Sequence, residues 1–142
     1  MRLFVPILAV LVLASCQPRG ETRKLDEILS GARSHFNQEL NSAGPAAIKD
    51  DTRTRLVALG QSLEEAISAG DGRAAAHKKI AEQIEYLTPR SGYTSRASLS
   101  ELVEQHRSIS ETAENSAASS KLLVARTYTL LSSEMETTRF GL

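Results

Sequence analysis

Apolar residues recur along most of this chain at intervals of three and four, the spacing that gathers them on one face of an α-helix. The first series is Leu25, Ile28, Leu29, Ala32, Phe36, Leu40 and Ala43, which predicts a helix from about Thr22 to Ser42, stopped by Gly44-Pro45. A second series, Ile48, Leu56, Leu59, Leu63, Ala66 and Ile67, predicts a helix whose main part starts near Asp51, where Asp50 and Asp51 place negative charge at the positive end of the helix dipole. Gly60 lies inside it at a cost of about 1 kcal/mol relative to alanine, which a close helix crossing would explain. The segment ends at Ala69-Gly70-Asp71-Gly72, with Gly70 suited to close one helix and Asp71 to cap the next. Ala74, Ala75, Ile80, Ala81, Ile84 and Leu87 define a third helix ending at Thr88-Pro89, and the short connection makes helices two and three an antiparallel hairpin.

Residues 90 to 97 read as a loop, and the longest series follows. Ser98-Leu99-Ser100-Glu101 fits a capping box, in which the serine hydroxyl accepts from the third amide and the glutamate accepts from the amide of Ser98. Leu99, Leu102, Val103, His106, Ile109, Ala113, Ala117, Ser120, Leu123, Val124, Thr127, Leu130 and Leu131 then keep one face as far as about Glu136. A single helix over Leu99 to Glu136 would be about 57 Å long. The alternative is a break near residues 115–120, where helix propensity and apolar bulk both fall. Continuity is the expectation, because no Gly or Pro interrupts the run and Ala and Ser suit tight packing. No segment alternates long enough to nominate a strand. The expected fold is therefore all-α, an up-and-down bundle of three to four helices with a long C-terminal helix. The Ala/Ser stripe on that helix is also compatible with a homo-oligomer formed through a coiled-coil contact.

The N-terminus follows a different pattern. Met1-Arg2 precedes an uncharged apolar run from Leu3 to Ala14, and small residues then lead to a cysteine, the layout of a secretory signal peptide. Spanning a bilayer takes roughly 20 apolar residues, more than this run contains, and Pro6 interrupts it. Leu13-Ala14-Ser15-Cys16 resembles the lipobox of bacterial lipoproteins. The resemblance covers residues 1–16 and implies diacylation of the Cys16 thiol, cleavage between Ser15 and Cys16, and acylation, commonly with palmitate, of the new amino group. Two or more acyl chains give stable anchoring where one gives marginal binding. Gln17 stands where many inner-membrane lipoproteins carry aspartate, which by the same resemblance implies an outer-membrane location facing the periplasm. The expected organisation is a signal peptide over 1–15, a lipidated tether over 16–21 and a helical domain over 22–142.

Removing residues 1–15 from the 142 leaves 127, enough for one domain with a real core. Arg2 is the only charge lost with them, so the 17 basic groups fall to 16 against 17 acidic ones, and no basic stripe nominates nucleic acid as a partner. With one cysteine, expected to be acylated, there is neither a disulfide nor a thiolate metal site to hold the domain, which must rely on packing.

Candidate chemistry is sparse. None of His35, His77 and His106 has a glutamate three residues before it, so the Glu-x-x-His pair of di-metal bundles is missing. His35 and Glu39 are spaced to share a ligand, though a solvated pair one helical turn apart accounts for them more simply. His106 lies on the apolar stripe and reads as a boundary residue or a pH-sensitive one. No nucleophile elbow, phosphate-binding loop or haem motif occurs. Glu64-Glu65 and Asp50-Asp51 are chain neighbours and cannot form a dyad on a helix. Arg90, Tyr93 and Arg96 in the loop, and Phe140 in the tail, are residue types enriched at protein contacts, and each reads equally as plain loop or folded-back tail.

Location and residue types together lead to the expectation of a membrane-anchored, non-enzymatic binding or scaffolding lipoprotein of the cell envelope, without cofactor, working beside an envelope protein partner through the effective concentration that a tether supplies. Envelope assembly, secretion-system accessory and exclusion or immunity roles all fit. The alternative is a small-molecule or metal-binding periplasmic bundle with His106 or His35 in a buried site. An unfilled apolar strip on residues 99–136 would favour the first, and a polar pocket around a histidine the second.

Overall fold

The structure is a computed structural model that describes the backbone over residues 4–43, 48–68, 72–92, 95–111 and 117–137, and side chains between residues 23 and 136 of these. It is all-α: α1 (Phe4–Ser42), α2 (Asp50–Ser68), α3 (Arg73–Leu87), a single 3-10 turn at Thr88–Arg90, α4 (Arg96–Glu111) and α5 (Ala117–Thr137), with no strand among the described residues.

Side-chain pairs fix the direction of each helix. Arg33 meets Glu64 at 2.5 Å while Arg53, at the other end of α2, reaches the last turn of α1, so α1 and α2 are antiparallel. Lys79 with Glu65 and Tyr86 with Asp51 make α2 and α3 the expected antiparallel hairpin. Asp26 with Lys121 at 2.8 Å and His35 with Glu136 at 2.7 Å run the same way along both helices, so α5 lies parallel to α1. The result is an up-down-up-down-up bundle in which α5 returns to pack against α1 and α2.

The continuous C-terminal helix is not what forms. A straight helix would hold residues 106 and 127 about 31 Å apart, yet the His106 ring and the Thr127 hydroxyl are 2.8 Å apart. The chain therefore doubles back between Glu111 and Ala117, and α4 and α5 are two antiparallel helices. The break falls just ahead of the Ala/Ser stretch, whose residues 117–120 form the first turn of α5, and reversing before it buries both halves of the apolar stripe. Leu99, Leu102, Val103, Leu123, Val124 and Leu131 are all buried within the bundle.

Other boundaries moved for local reasons. The backbone of α1 is helical through residues 17–21, the stretch read as a tether. The start of α4 is Arg96, two residues ahead of the proposed capping box, after a turn in which the Ser95 amide donates to the Gly92 carbonyl at 3.0 Å. Gly72 takes the N-cap position of α3, and Gly70 and Asp71 lie outside the described residues. At the end of α1, the Arg53 guanidinium donates to the carbonyls of Leu40, at 2.6 Å, and Ala43, supplying from α2 the positive charge that the last turn of α1 lacks.

The core is aliphatic. Leu56, Leu59, Leu63, Ile80, Ile84, Leu87, Leu99 and Leu131 are fully enclosed, and each such side chain contributes about 1.5–3 kcal/mol of burial free energy. Gly60 marks the close approach expected of it: a β-carbon there would sit 3.2 Å from Cε1 of Phe36, whose ring packs on Tyr128 with centroids 5.1 Å apart. The hydroxyl-rich composition of α5 suits a helix surrounded by neighbours. Thr127, Thr129 and Ser132 donate to the carbonyls of Leu123, Ala125 and Tyr128 one turn back, which disposes of their protons without needing a partner across the interface.

Candidate functional site

The sequence-nominated positions are not gathered into one site. Cys16 lies on α1, ahead of the described side chains. Arg90 turns inward: its guanidinium stacks 3.8 Å above the Tyr86 ring, which Arg55 flanks at 4.3 Å, and donates to the Tyr86 carbonyl at 2.8 Å. Arg96 is exposed and donates to the Pro89 carbonyl at 3.2 Å. Tyr93 and Phe140 lie outside the described residues. The same loop is held from below by the buried carboxylate of Glu134, which accepts from the Gly92 amide at 2.5 Å.

The polar centre of the bundle is a chain of four buried side chains that the sequence indicated only in part. His106 is joined by His77, which shares the Ile80, Ala81 and Ile84 face of α3, and by Ser120 and Thr127 of α5; all four are 0% exposed. Proton positions follow from one end. Thr127 donates its hydroxyl to the Leu123 carbonyl at 2.8 Å, so it must accept from Nε2–H of His106, also at 2.8 Å. Nδ1 of His106 is then an acceptor, filled by Nδ1–H of His77 at 2.8 Å, which leaves Nε2 of His77 to accept the Ser120 hydroxyl at 2.5 Å. Every ring nitrogen is satisfied with both imidazoles neutral.

Burial is the main reason both pKa values are lowered, with the Arg73 charge adding to the effect on His77 and His77 adding to that on His106. A serine hydroxyl bonded to an imidazole is the pairing of nucleophile and base, but this hydroxyl has no exposed surface for a substrate to reach. The network acts as a polar lock that specifies how α3, α4 and α5 register.

Two features at the surface of the described residues bear on function. At one end of the bundle His35, Glu39 and Glu136 bring their ligand atoms within 4.8 Å of one another. Glu136 could not be linked to His35 from the sequence, because the helix parallel to α1 is set by the chain reversal at 111–117. Along the side, between α4 and α5, lies a groove of about 450 Å³ whose walls combine Ile28, Leu102, Leu122, Ala125 and Leu130 with polar side chains that include Glu101, Gln105 and Arg126. Ile28 and Leu122 are each 51% exposed within it. No helix among the described residues is long and apolar enough to cross a membrane.

Comparison of the chain with protein-family profiles, with characterised proteins and with solved structures returns no match.

Proposed function

We propose that this chain is a lipid-anchored bacterial lipoprotein whose helical bundle serves as a non-enzymatic docking module in the cell envelope, facing the periplasm from the outer membrane. The anchor rests on Leu13-Ala14-Ser15-Cys16 at the end of the N-terminal apolar run. The observation that supports the docking role is the groove between α4 and α5, where Ile28 of α1 and Leu122 of α5 stand half exposed between walls that mix apolar and polar side chains. Lipidation confines the module to a plane and raises its effective concentration toward membrane-bound partners, so a shallow groove of modest affinity suffices. The buried histidine chain is closed on itself and offers no such opening.

The test is crosslinking in native membranes followed by affinity purification of the full chain, a Cys16→Ala variant and a Leu122→Glu variant. Leu122 is half exposed, so the charge is tolerated by the fold. Cys16→Ala should leave the membrane fraction and lose labelling by a radioactive fatty acid. Leu122→Glu should stay in the membrane and lose the co-purifying envelope protein. A Cys16→Ala chain that still carries fatty acid would refute the anchor, and an unchanged set of partners with Leu122→Glu would refute the groove.

A further inference from the structure

We propose that His35, Glu39 and Glu136 form a binding site for a zinc-class divalent cation that clamps α1 to the C-terminal end of α5. His35 and Glu39 stand one turn apart on α1, and Glu136 comes from the last turns of α5. Nε2 of His35 lies 2.7 Å from Oε1 of Glu136 and 3.6 Å from Oε1 of Glu39. Tetrahedral coordination at ordinary zinc–ligand lengths needs donors about 3.4 Å apart. The 2.7 Å contact must open and the longer separations close, both within reach of side chains that are about half exposed at His35 and Glu136.

Charge is the second argument. Among the described residues, the other ion-paired carboxylates, Asp26, Glu64, Glu65, Glu85 and Glu104, each meet a lysine or arginine. Among the described residues, the His35 ring is the one ion-pair partner of Glu39 and Glu136. Two carboxylates converging on one imidazole leave a local excess of negative charge that a divalent ion neutralises. The chemistry balances simply: the ring carries its proton on Nδ1 instead of Nε2, Nε2 becomes the metal ligand, and each glutamate gives one oxygen. One nitrogen with two oxygens suits zinc and its neighbours in the transition series, whereas magnesium and calcium prefer six or more oxygens. A water completes the fourth position. The site does not depend on lipidation or on the groove, and its effect is to hold together the parallel pair α1 and α5.

Zinc titration of the untagged full chain in detergent at pH 7.5, read by calorimetry and by thermal melting, tests this, with Co²⁺ absorption reporting the geometry. The expected result is one ion per chain, a melting temperature raised by several degrees, and no response to magnesium. His35→Ala should abolish the effect. Glu136→Gln, which keeps an oxygen for the His35 hydrogen bond but removes the charge, should weaken zinc at least roughly tenfold, the scale of loss seen even for groups that merely orient a ligand. Absence of binding at 100-fold excess zinc over protein overturns the proposal, as does binding that His35→Ala leaves intact.

Discussion

His77 and His106 meet Nδ1 to Nδ1 at 2.8 Å, with ring centroids 5.0 Å apart, at a point where neither has any exposed surface. Only one of the two facing nitrogens can carry a hydrogen, so the contact is a bond when both rings are neutral and a repulsion when both are charged. This pair ties the stability of the bundle to pH.

The first prediction concerns acid. Folding lowers both histidine pKa values below the ordinary value near 6.5, so between that value and the folded ones the unfolded chain binds more protons. Their contribution is fully present above about pH 6.5 and declines as pH falls, by up to about 1.4 kcal/mol per pH unit for each ring. Urea unfolding at pH 7.5, 6.5, 5.5 and 4.5 should show this slope. His106→Ala should cost about 3 kcal/mol or more at pH 7.5, through a cavity and an unsatisfied His77 Nδ1–H, and should flatten the slope. An unchanged slope would refute the assignment of acid sensitivity to this pair.

Tyr128 gives the second. Its hydroxyl donates to Oε1 of Glu64 at 2.8 Å, while Glu64 also pairs with Arg33, linking α5 to α2 and α1. Burial first, and the Glu64 carboxylate second, push the phenol well above its usual range. Ultraviolet titration should find one tyrosine that ionises only as the fold is lost in alkali, and Tyr128→Phe should remove that component. The same change should destabilise the protein by about 1.5–3 kcal/mol, the range for a hydrogen bond to a charged acceptor.

At Gly60 two effects of opposite sign compete. Alanine would gain about 1 kcal/mol in helix propensity, but its methyl would meet Phe36, a ring 1% exposed and wedged against Tyr128. The ring has little room to yield, so Gly60→Ala should fall short of that gain. Gly60→Val should destabilise by about 1–3 kcal/mol through overpacking. Chemical denaturation of the two variants checks both signs, and a stabilised valine variant would mean that the crossing is looser than the structure has it.

Much of this molecule was written in its local pattern. The three- and four-residue spacing that predicted helices ending at Ser42, near Ser68 and at Leu87 is a property of consecutive residues, and a glycine inside such a run, Gly60, hinted at a close crossing without saying that Phe36 is the partner. The resemblance to a lipobox is likewise local, a cysteine directly after an apolar run. Periodicity could not decide whether residues 99–136 run straight or reverse, because a helix and a helical hairpin show the same apolar stripe; the choice lies with the free energy of burying one half against α3 and the other against α1 and α2. That reversal created the rest. It brought Ser120 to His77 across 43 positions, Thr127 to His106 across 21 and Glu136 to His35 across 101, and it left the groove between α4 and α5. Spacing along the chain determines which face a residue occupies, while contacts between distant residues depend on how whole faces pack, and that only the tertiary structure decided.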